Sequence, residues 1–175
     1  MKKNIIIAGV HKGGSTSLFQ YLMNHPSVCA SSKKEIHFFT PLRYNQKIGS
    51  IDNYYKFFNH CKSSSKYLLE ASPSYMYGLE KISSSIFSNF QNPKIIFVLR
   101  NPVERFISYY YHCEGKFYIK RNTSFIDFYN ENLKNYDKPE KDSPYFRGLR
   151  EGMYYRYLNH WLEKYKENIK VVFFE

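Results

Sequence analysis

The chain has few cysteines: Cys29, Cys61 and Cys113 among 175 residues. They are odd in number, far apart and without a CxxC pair, which excludes a closed disulfide framework and argues against a structural zinc site. Three reduced thiols are therefore expected. Long apolar runs are also missing. The longest, Ile5–Val10, is too short to span a bilayer. Met1-Lys2-Lys3 has the charge of a signal n-region, but the apolar stretch stops at His11-Lys12, short of an h-region with a cleavage site. This predicts no secretion signal, no membrane anchor and a reducing cytoplasm. No internal repeat, low-complexity tract or linker interrupts the sequence, so residues 1–175 read as one domain.

Acidic residues are outnumbered. Lys plus Arg is 26 against 15 Asp plus Glu, a formal charge of +11. Such an excess calls for an anionic partner: a nucleotide, a nucleic acid, an acidic polysaccharide or a membrane surface. The basic residues are scattered in runs no longer than two, which speaks against nucleic acid. Hydrophobic residues make up 43% of the chain, enough for a core without metals or disulfides.

Strands are predicted at Asn4–Val10, Ser27–Ala30, Lys66–Glu70, Lys94–Leu99 and Lys170–Phe174 from short apolar, β-branched runs. Helices are predicted at Ser15–Asn24, Ile51–Phe58, Leu79–Phe90, Pro102–His112, Phe125–Leu133 and Met153–Tyr165. Pro102 fits a first helical turn, where its missing N–H costs nothing. The polar stretch Lys120–Pro144 reads as an exposed, mobile insertion. Alternation of strand and helix implies an α/β fold with a mostly parallel sheet between helices. Ligands of such sheets sit beyond the carboxyl ends of the strands.

Two of those ends carry anion-binding chemistry. After the first strand comes Gly9-Val10-His11-Lys12-Gly13-Gly14-Ser15-Thr16-Ser17. Glycines let the backbone curl so that N–H groups face a phosphate, the helix start adds its positive end, and Lys12 adds a mobile charge. The loop is not GxxxxGK[ST], because Lys12 precedes Gly13-Gly14. The strand Lys94–Leu99 is followed by Arg100 and not by a metal-binding Asp, which disfavours an NTPase or small-molecule kinase. Arg100 can fork onto a phosphate, and Ser108 lies two turns into the next helix. The competing reading pairs Arg100 with Glu104. No metal is expected, and the two anion sites together suggest a ligand with two separated phosphate-like groups.

These segments resemble the sulfotransferases that use 3′-phosphoadenosine 5′-phosphosulfate (PAPS), in particular the heparan sulfate N- and 3-O-sulfotransferase branch and its bacterial relatives. The resemblance rests on Gly9–Thr16, Lys34-Glu35-Ile36-His37-Phe38-Phe39, Glu70-Ala71-Ser72-Pro73-Ser74-Tyr75, Leu99–Ser108, and Gly152–Trp161 with Val171–Glu175. It implies a P-loop-like nucleotide-binding fold and sulfuryl transfer from PAPS to a hydroxyl or amine of a small-molecule or saccharide acceptor. It implies that Lys12 stabilises charge on the leaving phosphate and that Gly13, Gly14, Ser15, Thr16 and Ser17 cradle the 5′ phosphate. Arg100 and Ser108 would hold the 3′ phosphate, and Glu35 would act as general base with His37 close by. Two departures stand out. Ala71 replaces a Lys that some relatives carry, and the sequence stops before a basic closing segment typical of the family. An inactive, shortened relative that only binds the nucleotide is therefore an alternative expectation, beside a non-enzymatic polyanion binder.

Overall fold

The computed structural model describes residues 2–138, 143 and 145–174. Five strands form one sheet: β1 (Lys3–Gly9), β2 (Val28–Ala30), β3 (Tyr67–Ala71), β4 (Lys94–Arg100) and β5 (Ile169–Phe174). Their order is β2-β3-β1-β4-β5, and every pairing is parallel. The helices are α1 (Ser15–Met23), α2 (Ile51–Tyr55), α3 (Leu79–Asn89), α4 (Pro102–Gly115), α5 (Phe125–Lys134), α6 (Gly148–Glu151) and α7 (Tyr155–Tyr165). The α/β fold expected from the sequence is the one observed. No helix among the described residues is long and apolar enough to cross a membrane.

β1 shows why the sheet is buried on both faces. Ile5 and Ile7 pack with Phe19, Leu18 and Leu22 of α1, while Ile6 and Ala8 face the larger cluster holding Phe97, Trp161 and Tyr165. That alternation follows from the two-residue period of a strand, so an apolar run serves both faces. Trp161 is fully buried and its indole N–H donates to the Met76 carbonyl at 3.0 Å, which satisfies its one polar atom.

The chain leaves β1 through α1 toward the β2–β3 side and leaves β4 through α4 toward β5. β1 and β4 are neighbours, so their loops part at a topological switch point. The crevice opens there.

Two expectations are corrected. Cys29 and Cys61 form a disulfide across 32 residues, with Cα atoms 5.7 Å apart; Cys113 alone is a free thiol. Spacing along the chain carried no signal of this, because the sheet brings β2 beside the turn that holds Cys61. The pairing removes the ground for expecting a reducing cytoplasm. The Lys120–Pro144 stretch is not wholly an exposed insertion. α5 buries Phe128 and Asn132 completely, and Phe128 lies 5.4 Å from the rings of both Phe106 and Tyr110. Aromatic side chains on one helical face outweigh the polar composition. Residues 139–142 and 144 of that stretch lie outside the described residues.

Candidate functional site

The loop after β1 turns sharply. Lys12 takes φ 63° and Gly14 φ 94°, both left-handed. A side chain at Gly13 would put a Cβ 2.3 Å from the Val98 carbonyl oxygen, and one at Gly14 would meet Phe174 at 2.6 Å. Both positions therefore require glycine. No side chain caps α1, and no acidic residue lies in its first turn. The first N–H groups of α1 thus open onto the crevice as donors with a positive helix end behind them. α4 differs: Asn101 Oδ1 accepts from the N–H groups of Val103 (2.9 Å) and Glu104 (3.4 Å).

The crevice is a cleft of about 790 Å³. His11, Lys12, Gly14, Ser15, Thr16 and Ser17 line it from the first loop, Lys34, Glu35 and His37 from one side, and Arg100 and Ser108 from β4 and α4. All the sequence-predicted residues converge there except Gly13, which sits beneath the loop against β4. A second cavity of about 490 Å³ adjoins it and shares Lys12, Arg100, Ser108 and His112. The groove is thus two-lobed, with cations at the junction.

Arg100 Nε donates to Glu104 at 3.2 Å, and its guanidinium lies 5.3 Å from the centre of the Phe174 ring. The competing pairing with Glu104 is therefore real, although that carboxylate is mostly exposed and such pairs are weak.

Glu35 sits between an imidazole and an ammonium group. Oε2 lies 3.0 Å from His37 Nε2 and Oε1 lies 3.4 Å from Lys34 Nζ. Partial burial opposes its charge, but the hydrogen bond from His37 and the charges of Lys34, His37 and His11 outweigh it, and the carboxyl titrates below its ordinary 4.5. The imidazole of His37 is half exposed. Its Nδ1 lies 3.3 Å from both Thr40 Oγ1 and Ser74 Oγ, so the ring is held from both ends.

Beneath this pair lies Glu70, fully buried at the end of β3. Ser72 and Tyr75 hydroxyls donate to its Oε2 at 3.3 and 3.4 Å. The same hydroxyls accept the backbone N–H groups of His37 (3.1 Å) and Phe39 (3.3 Å). Glu70 thereby pins the segment that carries Glu35. Burial pushes its carboxyl up to about 8, against the two hydrogen bonds and with the help of Glu35's charge.

A family model described as "Sulfotransferase domain" matches residues 2–175. The chain belongs to the sulfotransferase-domain family. It is 36% identical over 123 residues to the membrane-associated sulfotransferase kil1 of Dictyostelium discoideum, covering 69% of this chain and 25% of that protein. It is 28% identical over 159 residues to human heparan sulfate glucosamine 3-O-sulfotransferase 5, covering 90% of this chain and 43% of that protein. The solved sulfotransferase from Alicyclobacillus acidocaldarius superposes with a TM-score of 0.80 at 25% identity, over 99% of this chain and 73% of that one. The chain thus spans less than half the length of these two curated relatives. The resemblance to the heparan sulfate branch is borne out by the relatives matched.

Several residues of this sulfotransferase-domain cleft escape a linear reading. His112 of α4 and Lys116 just after it line it, Tyr118 and Tyr145 stack at 4.5 Å on its far wall, and Arg147 reaches in beside buried Glu151. The four-residue step from Ser108 to His112 on one helix face was a usable signal. The position of Tyr145 and Arg147 was not readable, because it depends on how α5 and α6 pack on α4. Cys29, His60 and Cys61 lie close enough to hold a metal, but the two sulfurs are bonded to each other.

Proposed function

We propose that the cleft binds PAPS and transfers its sulfuryl group to a hydroxyl or amine of a saccharide acceptor. One observation carries this reading: Lys12 with the uncapped start of α1, and Arg100 with Ser108, converge from adjacent strand ends on one groove whose other side holds a carboxylate–imidazole pair. The donor set suits a nucleotide with anionic groups at both ends. The Gly13–Gly14 turn leaves room for an anion to approach the backbone.

In this reading Gly13, Gly14, Ser15, Thr16 and Ser17 hold the 5′ phosphate, and Arg100 and Ser108 hold the 3′ phosphate. Lys12 places its ammonium where negative charge develops on the leaving phosphate oxygen as the S–O bond breaks. Glu35 accepts the proton of the acceptor as the new bond to sulfur forms. His37 keeps that carboxylate oriented and ionised, at the cost of some basicity. Sulfuryl transfer otherwise asks for little beyond in-line placement. The saccharide acceptor is inferred from the heparan sulfate relatives and from Lys34, Lys116 and Arg147 on the cleft wall.

Incubation with PAPS and a desulfated glucosamine-containing polysaccharide tests this. Acceptor-dependent release of adenosine 3′,5′-bisphosphate is expected, with Glu35→Gln lowering the rate by roughly 10²–10⁴-fold while nucleotide affinity stays within twofold. Nucleotide binding without any transfer by the wild type would favour the binding-only alternative. Unchanged transfer in Glu35→Gln would remove Glu35 as the base.

A further inference from the structure

Glu151, the last residue of α6, is a fully buried carboxylate on which two guanidinium groups and an imidazole converge. Oε1 takes Arg43 Nη2 at 2.7 Å and lies 3.0 Å from Arg147 Nε, and Oε2 lies 3.1 Å from His11 Nδ1. The three come from different walls: His11 from the loop after β1, Arg43 from the turn following the Glu35 segment, and Arg147 from the start of α6. Tyr77 closes the cage. Its hydroxyl accepts the His11 backbone N–H at 3.3 Å, and its ring lies 5.1 Å from the imidazole and 4.8 Å from the Arg43 guanidinium.

A buried ion cluster can be purely structural. Here two of the three partners, His11 and Arg147, also line the cleft, and His11 immediately precedes Lys12. A carboxylate accepts only from an N–H, so Glu151 fixes the proton on Nδ1. Nε2, which takes no hydrogen bond among the described residues, is left as the ring nitrogen available to a ligand.

Resting on the sulfotransferase reading of the cleft, we propose that His11 is a donor-binding residue and Glu151 its positioning residue, the carboxylate presenting imidazole Nε2 to the 5′ phosphosulfate beside Lys12. An oxyanion at Nε2 needs a proton there, so the contact exists only with the imidazolium. The groups around that ring are Glu151 from α6 with Arg43 and Arg147 behind it, Tyr77 from the turn after β3, Lys12 in its own loop, Glu35 across the cleft and His112 from α4.

Titration of the full chain with adenosine 3′,5′-bisphosphate at pH 6 and pH 8 tests this in wild type, His11→Gln, Glu151→Gln and the double variant. Each single change is expected to weaken binding at pH 6 by roughly tenfold, the size of one charge-assisted hydrogen bond. The double variant should be no weaker than the worse single one. Wild-type affinity in His11→Gln, or losses that multiply in the double variant, would overturn the assignment. Nitrogen-15 NMR of the wild-type imidazoles gives a second readout that needs no Glu151 variant to fold. A proton on His11 Nδ1 supports the clamp, and a bare Nδ1 overturns it. Absence of any wild-type binding would instead bring down the parent reading and this inference with it.

Discussion

Three carboxylates near the cleft live in different surroundings and titrate accordingly. Glu35, flanked by His37 and Lys34, is held ionised. Glu151, buried among His11, Arg43 and Arg147, is held well below the ordinary range because their charges outweigh its burial. Glu70 has only hydroxyl donors, so burial wins and it keeps its proton up to about pH 8. The sign for stability follows. The unfolded carboxyl loses its proton near 4.5 while the folded one holds it to about 8, so the folded state binds more protons in that window and stability falls as pH rises through it. Glu70→Gln removes this loss. The melting temperature of the variant relative to wild type should therefore climb between pH 4.5 and pH 8 and level off outside that range. A difference that does not move with pH would show that Glu70 does not carry a buried proton.

At the scale of elements, local signals were the legible ones. β1 and β4 are apolar runs ended by glycine or arginine, and each feeds a helix, so Lys12 and Arg100 could be placed at strand ends from sequence, while the adjacency of the two strands came only with the sheet order. Glu35 and His37 were brought together by the family motif Lys34–Phe39, and the 3.0 Å pair itself came only with the structure. Glu151 could not be paired from sequence, since its partners Arg43 and His11 lie 108 and 140 residues away. Its one nearby partner, Arg147, sits at an ordinary helical spacing that suggests nothing more than a surface pair. α5 was underrated because a polar average hid the face carrying Phe125 and Phe128, which packs on Phe106. The Cys29–Cys61 bond was unreadable for the same reason as Glu151: the sheet, not the sequence spacing, brings its ends together. It ties edge strand β2 to the turn before β3. Cys29→Ser should lower unfolding stability by roughly 3–4 kcal/mol, the loop-closure value for a span of this length. Equal urea midpoints for the variant and the untreated wild type would show that the bond does not form in solution.

For the molecule as a whole, the +11 charge is partly spent on one groove. Lys12, Lys34, Arg100, Lys116 and Arg147 all line it. Their mutual repulsion is felt by His112, which burial and then the charges of Lys12, His11 and Lys116 hold below its ordinary 6.5, against the pull of Glu35. An anion entering the groove reverses that balance. Binding of adenosine 3′,5′-bisphosphate should therefore raise the His112 pKa, seen as a shift to higher pH in the NMR titration of its ring resonances. A His112 titration unchanged by saturating nucleotide would contradict the electrostatics described for the groove.

The central claim is that two strand ends form one bisphosphate site. Metal-free titration with adenosine 3′,5′-bisphosphate, repeated with Lys12→Ala and Arg100→Ala, tests it most directly. Saturable wild-type binding, weakened at least tenfold by either substitution, is the predicted result, since each removes a charged hydrogen-bond donor. No saturable binding by the wild type, or wild-type affinity in both variants, would contradict it.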